Sequence, residues 1–118
     1  MKIIAPRTLV TVATGLAFCT FSSVALAANF DADAAKDLAD QNDCFKCHAI
    51  DKTKKGPSYK KIAAKYKGKE AEGEKAMVKN ITTGPKVKLE DGTEQEHKII
   101  DTKDQKQILN LVRWIQAQ

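Results

Sequence analysis

Apolar residues recur at helical spacing in four stretches of the chain. The first runs from Ala32 to Asp43, where Phe30, Ala34 and Leu38 fall on one face with Ala35 and Ala39 beside them. The second runs from Ser58 to Lys67. Tyr59, Ile62, Ala63 and Tyr66 stand at i, i+3, i+4 and i+7, and Gly68 supplies a stop. The third covers Glu70 to Thr82, with Met77, Val78 and Ile81 as its apolar face and Gly84-Pro85 as its end. Gly73 weakens the start of that helix. The fourth is the clearest: Thr102-Lys103-Asp104-Gln105 reads as a capping box, and Ile108, Leu111, Val112 and Ile115 share a face that Trp114 flanks. These elements predict an all-α fold of about four helices.

The segment from Gly84 to Asp101 is long for a connection in so small a domain, and such loops are functional or disordered. Val87 and Leu89 alternate with lysines and Asp91-Gly92 is a tight-turn signal, which predicts a short β-hairpin.

Residues 1–27 read differently. Lys2 and Arg7 open the chain, an apolar run follows to Phe21, and Ala25-Leu26-Ala27 fits a small-x-small cleavage site. That order describes a secretory signal peptide, so the expected domain is residues 28–118 and the expected compartment the periplasm. An uncleaved anchor is the competing reading. A lipoprotein attached through Cys19 fits less well, because Phe18 stands where a lipidation signal wants a small residue. No later stretch is long and apolar enough for stable membrane insertion.

The chain has 20 basic and 15 acidic residues, and it stays basic without Lys2 and Arg7. Lys52, Lys54, Lys55, Lys60, Lys61, Lys65, Lys67 and Lys69 follow Asp51 with no acid among them. A solvated helix face is the plain reading of such a run; a positive surface that steers an acidic redox partner is the functional one. Nucleic-acid binding is not expected, since no recognition motif accompanies the charge.

Of the three cysteines, Cys19 lies in the leader, and Cys44 and Cys47 lie in Cys44-Phe45-Lys46-Cys47-His48. Cys-x-x-Cys-His is the attachment signature of c-type haem. Two thiols at that spacing reach the two vinyl groups on one porphyrin edge, and the next residue brings an imidazole over the iron. A redox dithiol would sit in a βαβ context, and this chain is helical. A structural zinc site needs four ligands, and residues 28–118 hold two Cys and two His. The cofactor expected is therefore one covalent haem c.

With that motif in place, the chain resembles the class I cytochromes c, specifically the small bacterial monohaem type. The resemblance rests on the haem motif, on Ala49-Ile50-Asp51-Lys52, on Lys55-Gly56-Pro57-Ser58-Tyr59, on Ile62-Ala63-Ala64-Lys65-Tyr66-Lys67-Gly68 and on Leu111-Val112-Arg113-Trp114-Ile115, in the family's order. It implies a helical shell round one haem, with the first and last helices crossing near Leu38, Leu111 and Trp114. It also implies that the Pro57 carbonyl orients His48, the proximal iron ligand.

The resemblance fails on the far side of the iron. The family places a Met in the loop before the last helix, and this loop has none. Met77 lies on a helix face, where a Met is more often core filler than ligand. His97 falls close to the position of the missing Met and precedes Lys98-Ile99-Ile100. It is the expected distal ligand, with an exposed loop histidine as the plain alternative. Imidazole in place of thioether predicts a lower redox potential than the family's usual members show.

The function expected is single-electron transfer between redox partners, not enzymatic turnover. The competing reading is a haem protein with an open or displaceable sixth site, acting as a small-ligand sensor or a peroxidase-like enzyme.

Overall fold

The computed structural model describes residues 29–118. The signal peptide read in residues 1–27 lies outside the described residues. Among the described residues four α-helices form, in the expected order: α1 (Ala32–Gln41), α2 (Tyr59–Lys65), α3 (Glu70–Thr83) and α4 (Gln105–Gln116), with a 3-10 turn at Cys44–Lys46. Between α3 and α4 lies an antiparallel hairpin of β1 (Lys86–Lys88) and β2 (Glu94–Glu96), in which Lys86 faces Glu96, Val87 faces Gln95 and Lys88 faces Glu94. Among the described residues no helix is long and apolar enough to cross a membrane.

α1 packs most extensively on α4, and α2 and α3 each pack on α4 as well. The last helix therefore carries the core. Its Ile108, Leu111, Val112, Trp114 and Ile115 are all buried. They meet Ala35, Ala39, Tyr59, Met77 and Ile100 in one cluster, with Leu38 packed at its edge. The buried face of α1 is Ala35 and Ala39, whereas Ala34 is exposed. The apolar stripe is thus rotated from the Phe30–Ala34–Leu38 line that spacing suggested. Alanine at the crossing lets two helix backbones approach closely, so the smallest side chains are the most deeply buried.

The helix ends also differ in detail from their sequence signals. α1 stops at Gln41 because Asn42 caps it and Asp43 turns into the left-handed region at φ 57°. Ser58 is the cap of α2 rather than its first residue, its Oγ accepting from the Lys61 N–H at 3.1 Å. The capping box at Thr102 does not form. Asp104 is the N-cap of α4 and accepts from the Lys106 N–H at 2.8 Å, while Thr102 Oγ1 accepts from the Asp104 N–H at 3.1 Å. A carboxylate interacts with the positive end of the helix dipole more strongly than a neutral hydroxyl does, which accounts for the shifted start.

Candidate haem site

The proximal half of the site is built from short-range bonds. The Cys47 and His48 amides both return to the Cys44 carbonyl, at 3.2 and 3.0 Å, which winds the motif into its tight turn. Lys54 Nζ reaches across to the Phe45 carbonyl. The loop then folds back, with Gly56 N–H donating to Cys47 O at 2.8 Å and Tyr59 N–H to Ala49 O at 2.9 Å. This fold-back brings the Pro57 carbonyl to 2.6 Å from His48 Nδ1. Gly56 is required by the same geometry: a Cβ there would lie 2.8 Å from His48 Cε1 and 3.1 Å from Nδ1.

His48 stacks on Tyr59 with ring centroids 5.4 Å apart, and Tyr59 meets Trp114 edge-on, also at 5.4 Å. Tyr59 and Trp114 are buried, so this chain of rings ties the site to the α4 core. Burial holds the His48 imidazole below the usual histidine pKa, opposed by its bond to Pro57 and reinforced by the nearby His97 and Lys54 charges. Its neutral form, the form that binds metal, is therefore favoured. Burial likewise pushes up the Cys44 thiol, partly offset by Lys98, and raises Tyr59, whose hydroxyl also feels Cys44.

His97 follows directly on the hairpin. Its N–H donates to Pro85 O at 2.9 Å, one step beyond the hairpin ladder. The hairpin is in turn tethered to the haem loop by the Glu90 N–H on Lys55 O at 3.1 Å, and to α2 by Lys61 Nζ on Glu90 at 3.4 Å. Gly84, at φ 60°, lets the chain leave α3 against this segment, since a Cβ there would lie 2.8 Å from His97 O. His97 is half-buried, and its Nδ1 lies 2.9 Å from Lys98 O.

The two imidazole centroids are 6.2 Å apart. A metal–imidazole bond is about 2 Å and the ring centre about 1 Å beyond the nitrogen, so two rings on opposite faces of one metal ion stand about 6 Å apart. Both rings also share a tautomer. A carbonyl only accepts, so each ring donates through Nδ1–H, and each Nε2 lone pair is left for a metal. The residues present therefore fit one iron between His48 and His97. Met77 is elsewhere, buried in the core cluster. Among the described residues no group of three or more His, Cys, Asp and Glu gathers to hold a metal ion.

Sequence reasoning singled out Cys44, Cys47, His48, Pro57 and His97, and the structure brings His48 to Pro57 and His48 to His97. It did not single out Gly56 or Asn42. The signal for Gly56 was its place directly before Pro57; Asn42 carries no signal in a single sequence.

A helical shell on a Cys-x-x-Cys-His turn defines a monohaem c-type cytochrome of class I. Residues 32–118 match the family model described as Cytochrome c, and the chain belongs to that family. It is 53% identical to the class 1 cytochrome MtoD from Sideroxydans lithotrophicus ES-1, whose crystal structure superposes with a TM-score of 0.70 over 75% of this chain and 96% of that one. It is also 43% identical over 51 residues to cytochrome c-552 of Nitrosomonas europaea, a match that covers 43% of this chain. The chain spans 50% of the length of that curated relative. Membership implies one covalent haem c with its iron, and Cys44 and Cys47 fit its attachment.

Proposed function

We propose that this cytochrome is a periplasmic single-electron carrier whose haem iron is held by His48 and His97, exported by a signal peptide over residues 1–27 and working as a carrier rather than an enzyme. The observation that carries the reading is the 6.2 Å separation of two imidazoles with the same Nε2 free. The bound haem supplies a one-electron ferric–ferrous couple. The chain supplies the rest. Cys44 and Cys47 anchor the group, the Pro57 carbonyl orients His48, and the Lys98 carbonyl orients His97. Two ligands fixed in this way require little rearrangement when the charge on the iron changes.

Docking is assigned to the lysines at 52–69. All eight side chains are exposed, and Lys61 alone of them is paired with an acid among the described residues, through Glu90. This surface lies along the loop and helix that follow the haem motif, and it suits a partner with an acidic face.

A potentiometric titration of the purified holoprotein tests the ligand reading. A single one-electron wave, lower than the range of cytochromes with Met and His ligands, is expected. A potential within that range overturns it.

A further inference from the structure

Between His97 and α4 the chain makes two further inward contacts. The Ile100 N–H donates to Ile81 O at 2.8 Å, and the Asp101 N–H donates to Asn42 Oδ1 at 2.9 Å. The first joins main chain to main chain, as does the bond from His97 to Pro85, so many residues could supply either. The second depends on one side chain. Asn42 is 4% exposed, and both ends of its amide are engaged: Nδ2 donates to Leu38 O at 3.0 Å while Oδ1 holds Asp101. Its backbone N–H also returns to Leu38 O at 3.2 Å and the next N–H, that of Asp43, to Asp40 O at 3.0 Å, closing α1. Asn42 thus joins the helix that packs most extensively on α4 to the segment that carries His97, two positions before Cys44. Asp43 adds an exposed contact alongside, its carboxylate 3.5 Å from Lys98 Nζ.

We infer that Asn42 is a positioning residue for the distal ligand, tying the His97 segment to the α1–α4 crossing so that outside ligands do not displace the histidine. This rests on the reading of His97 as a ligand. Lifting the segment as a whole parts the half-buried Asn42–Asp101 bond and leaves the buried Asn42 amide oxygen without its partner. Local opening is governed by such costs rather than by the stability of the whole domain. An axial ligand held by a preorganised loop is accordingly harder to replace.

The two ends of the amide can be separated by substitution. Asn42→Ser keeps a donor that can return to the carbonyl four residues back, but its side chain is too short to reach Asp101. Asn42→Asp keeps the acceptor for Asp101 and loses the donor to Leu38. Cyanide binding to the ferric holoprotein, followed by absorbance, is compared in wild type, both variants and His97→Ala, with circular dichroism as the check on folding. Asn42→Ser is expected to bind cyanide about tenfold more tightly than wild type, and Asn42→Asp within about twofold of it. Equal effects in the two variants, or none in Asn42→Ser while wild type resists cyanide, overturn the inference and leave the ligand reading standing. Wild type that binds cyanide as readily as His97→Ala overturns the ligand reading, and the inference with it. Should Asn42→Ser not fold, an Asn42→Asp protein as open to cyanide as His97→Ala overturns the inference.

Discussion

His48 is oriented by a carbonyl nine residues along the chain, whereas the segment that carries His97 is tied to Asn42 through a bond between residues 59 apart. The first connection closes within one loop. The second forms only when α1 and α4 have met and the hairpin has folded back. A long loop costs more entropy to close than a short one, and the segment that carries His97 is anchored to the rest of the fold by distant tethers. The two sides of the iron should therefore respond differently to damage. The proximal side should fail by strain and the distal side by opening.

Gly56→Ala is expected to give the larger loss. Its Cβ would press on His48 Cε1 at 2.8 Å and on Nδ1 at 3.1 Å, the nitrogen that the Pro57 carbonyl already fixes. Overpacking of this kind costs about 1–3 kcal/mol, readable as a lower denaturant midpoint of the holoprotein. An unchanged midpoint would show that the proximal loop yields more easily than its bonds suggest. Gly84→Ala acts on the distal side. Its left-handed backbone and the approach to His97 O predict a loss of about 1–2 kcal/mol, accompanied by easier cyanide binding. Loss of stability without easier binding would show that the distal side does not fail by opening.

Surface charge divides along the same line. Lys86 and Lys88 stand opposite Glu96 and Glu94 in the hairpin, and Lys98 pairs with Asp43. Among the described residues the lysines at 52–69 form one ion pair with an acid, Lys61 with Glu90. Reversing Lys60 or Lys65 to Glu should slow electron transfer to an acidic partner several-fold at low salt, with the difference shrinking as salt rises. The same change at Lys86 should matter less. Rates that are flat with ionic strength would remove the docking role.

The smallest effect expected is that of Asp43. Its lysine partners, Lys46 first and then Lys98, hold its carboxyl below the usual aspartate pKa. A lowered folded pKa means that the contribution is present above the ordinary aspartate range and is lost as pH falls through the lowered value. Asp43→Asn should therefore flatten the acid limb of the stability curve slightly, in acid melts below about pH 4. The group is fully exposed, so the change is small.

What the sequence revealed follows the same division. Cys44, Cys47 and His48 were legible because attachment chemistry needs that spacing, and Pro57 because the resemblance extends through its neighbours. The helices were legible from apolar period. The α1 face was centred slightly off, on Ala34 rather than on Ala35 and Ala39, because alanines carry little hydrophobic signal although they fit a close crossing. The Thr102 capping box failed because Asp104, two residues on, competes for the same helix end. Asn42 was not legible, because its role exists only once Asp101 has been brought to it across the fold. His97 stood between these cases, suggested by its place in the loop while its distance from His48 depended on the tertiary structure.

The most direct measurement is electron paramagnetic resonance of the ferric holoprotein beside His97→Ala. A low-spin signal of two imidazole ligands is expected in wild type, replaced by a high-spin or differently ligated signal in the variant. The same low-spin signal in both proteins would contradict the assignment of His97 to the iron.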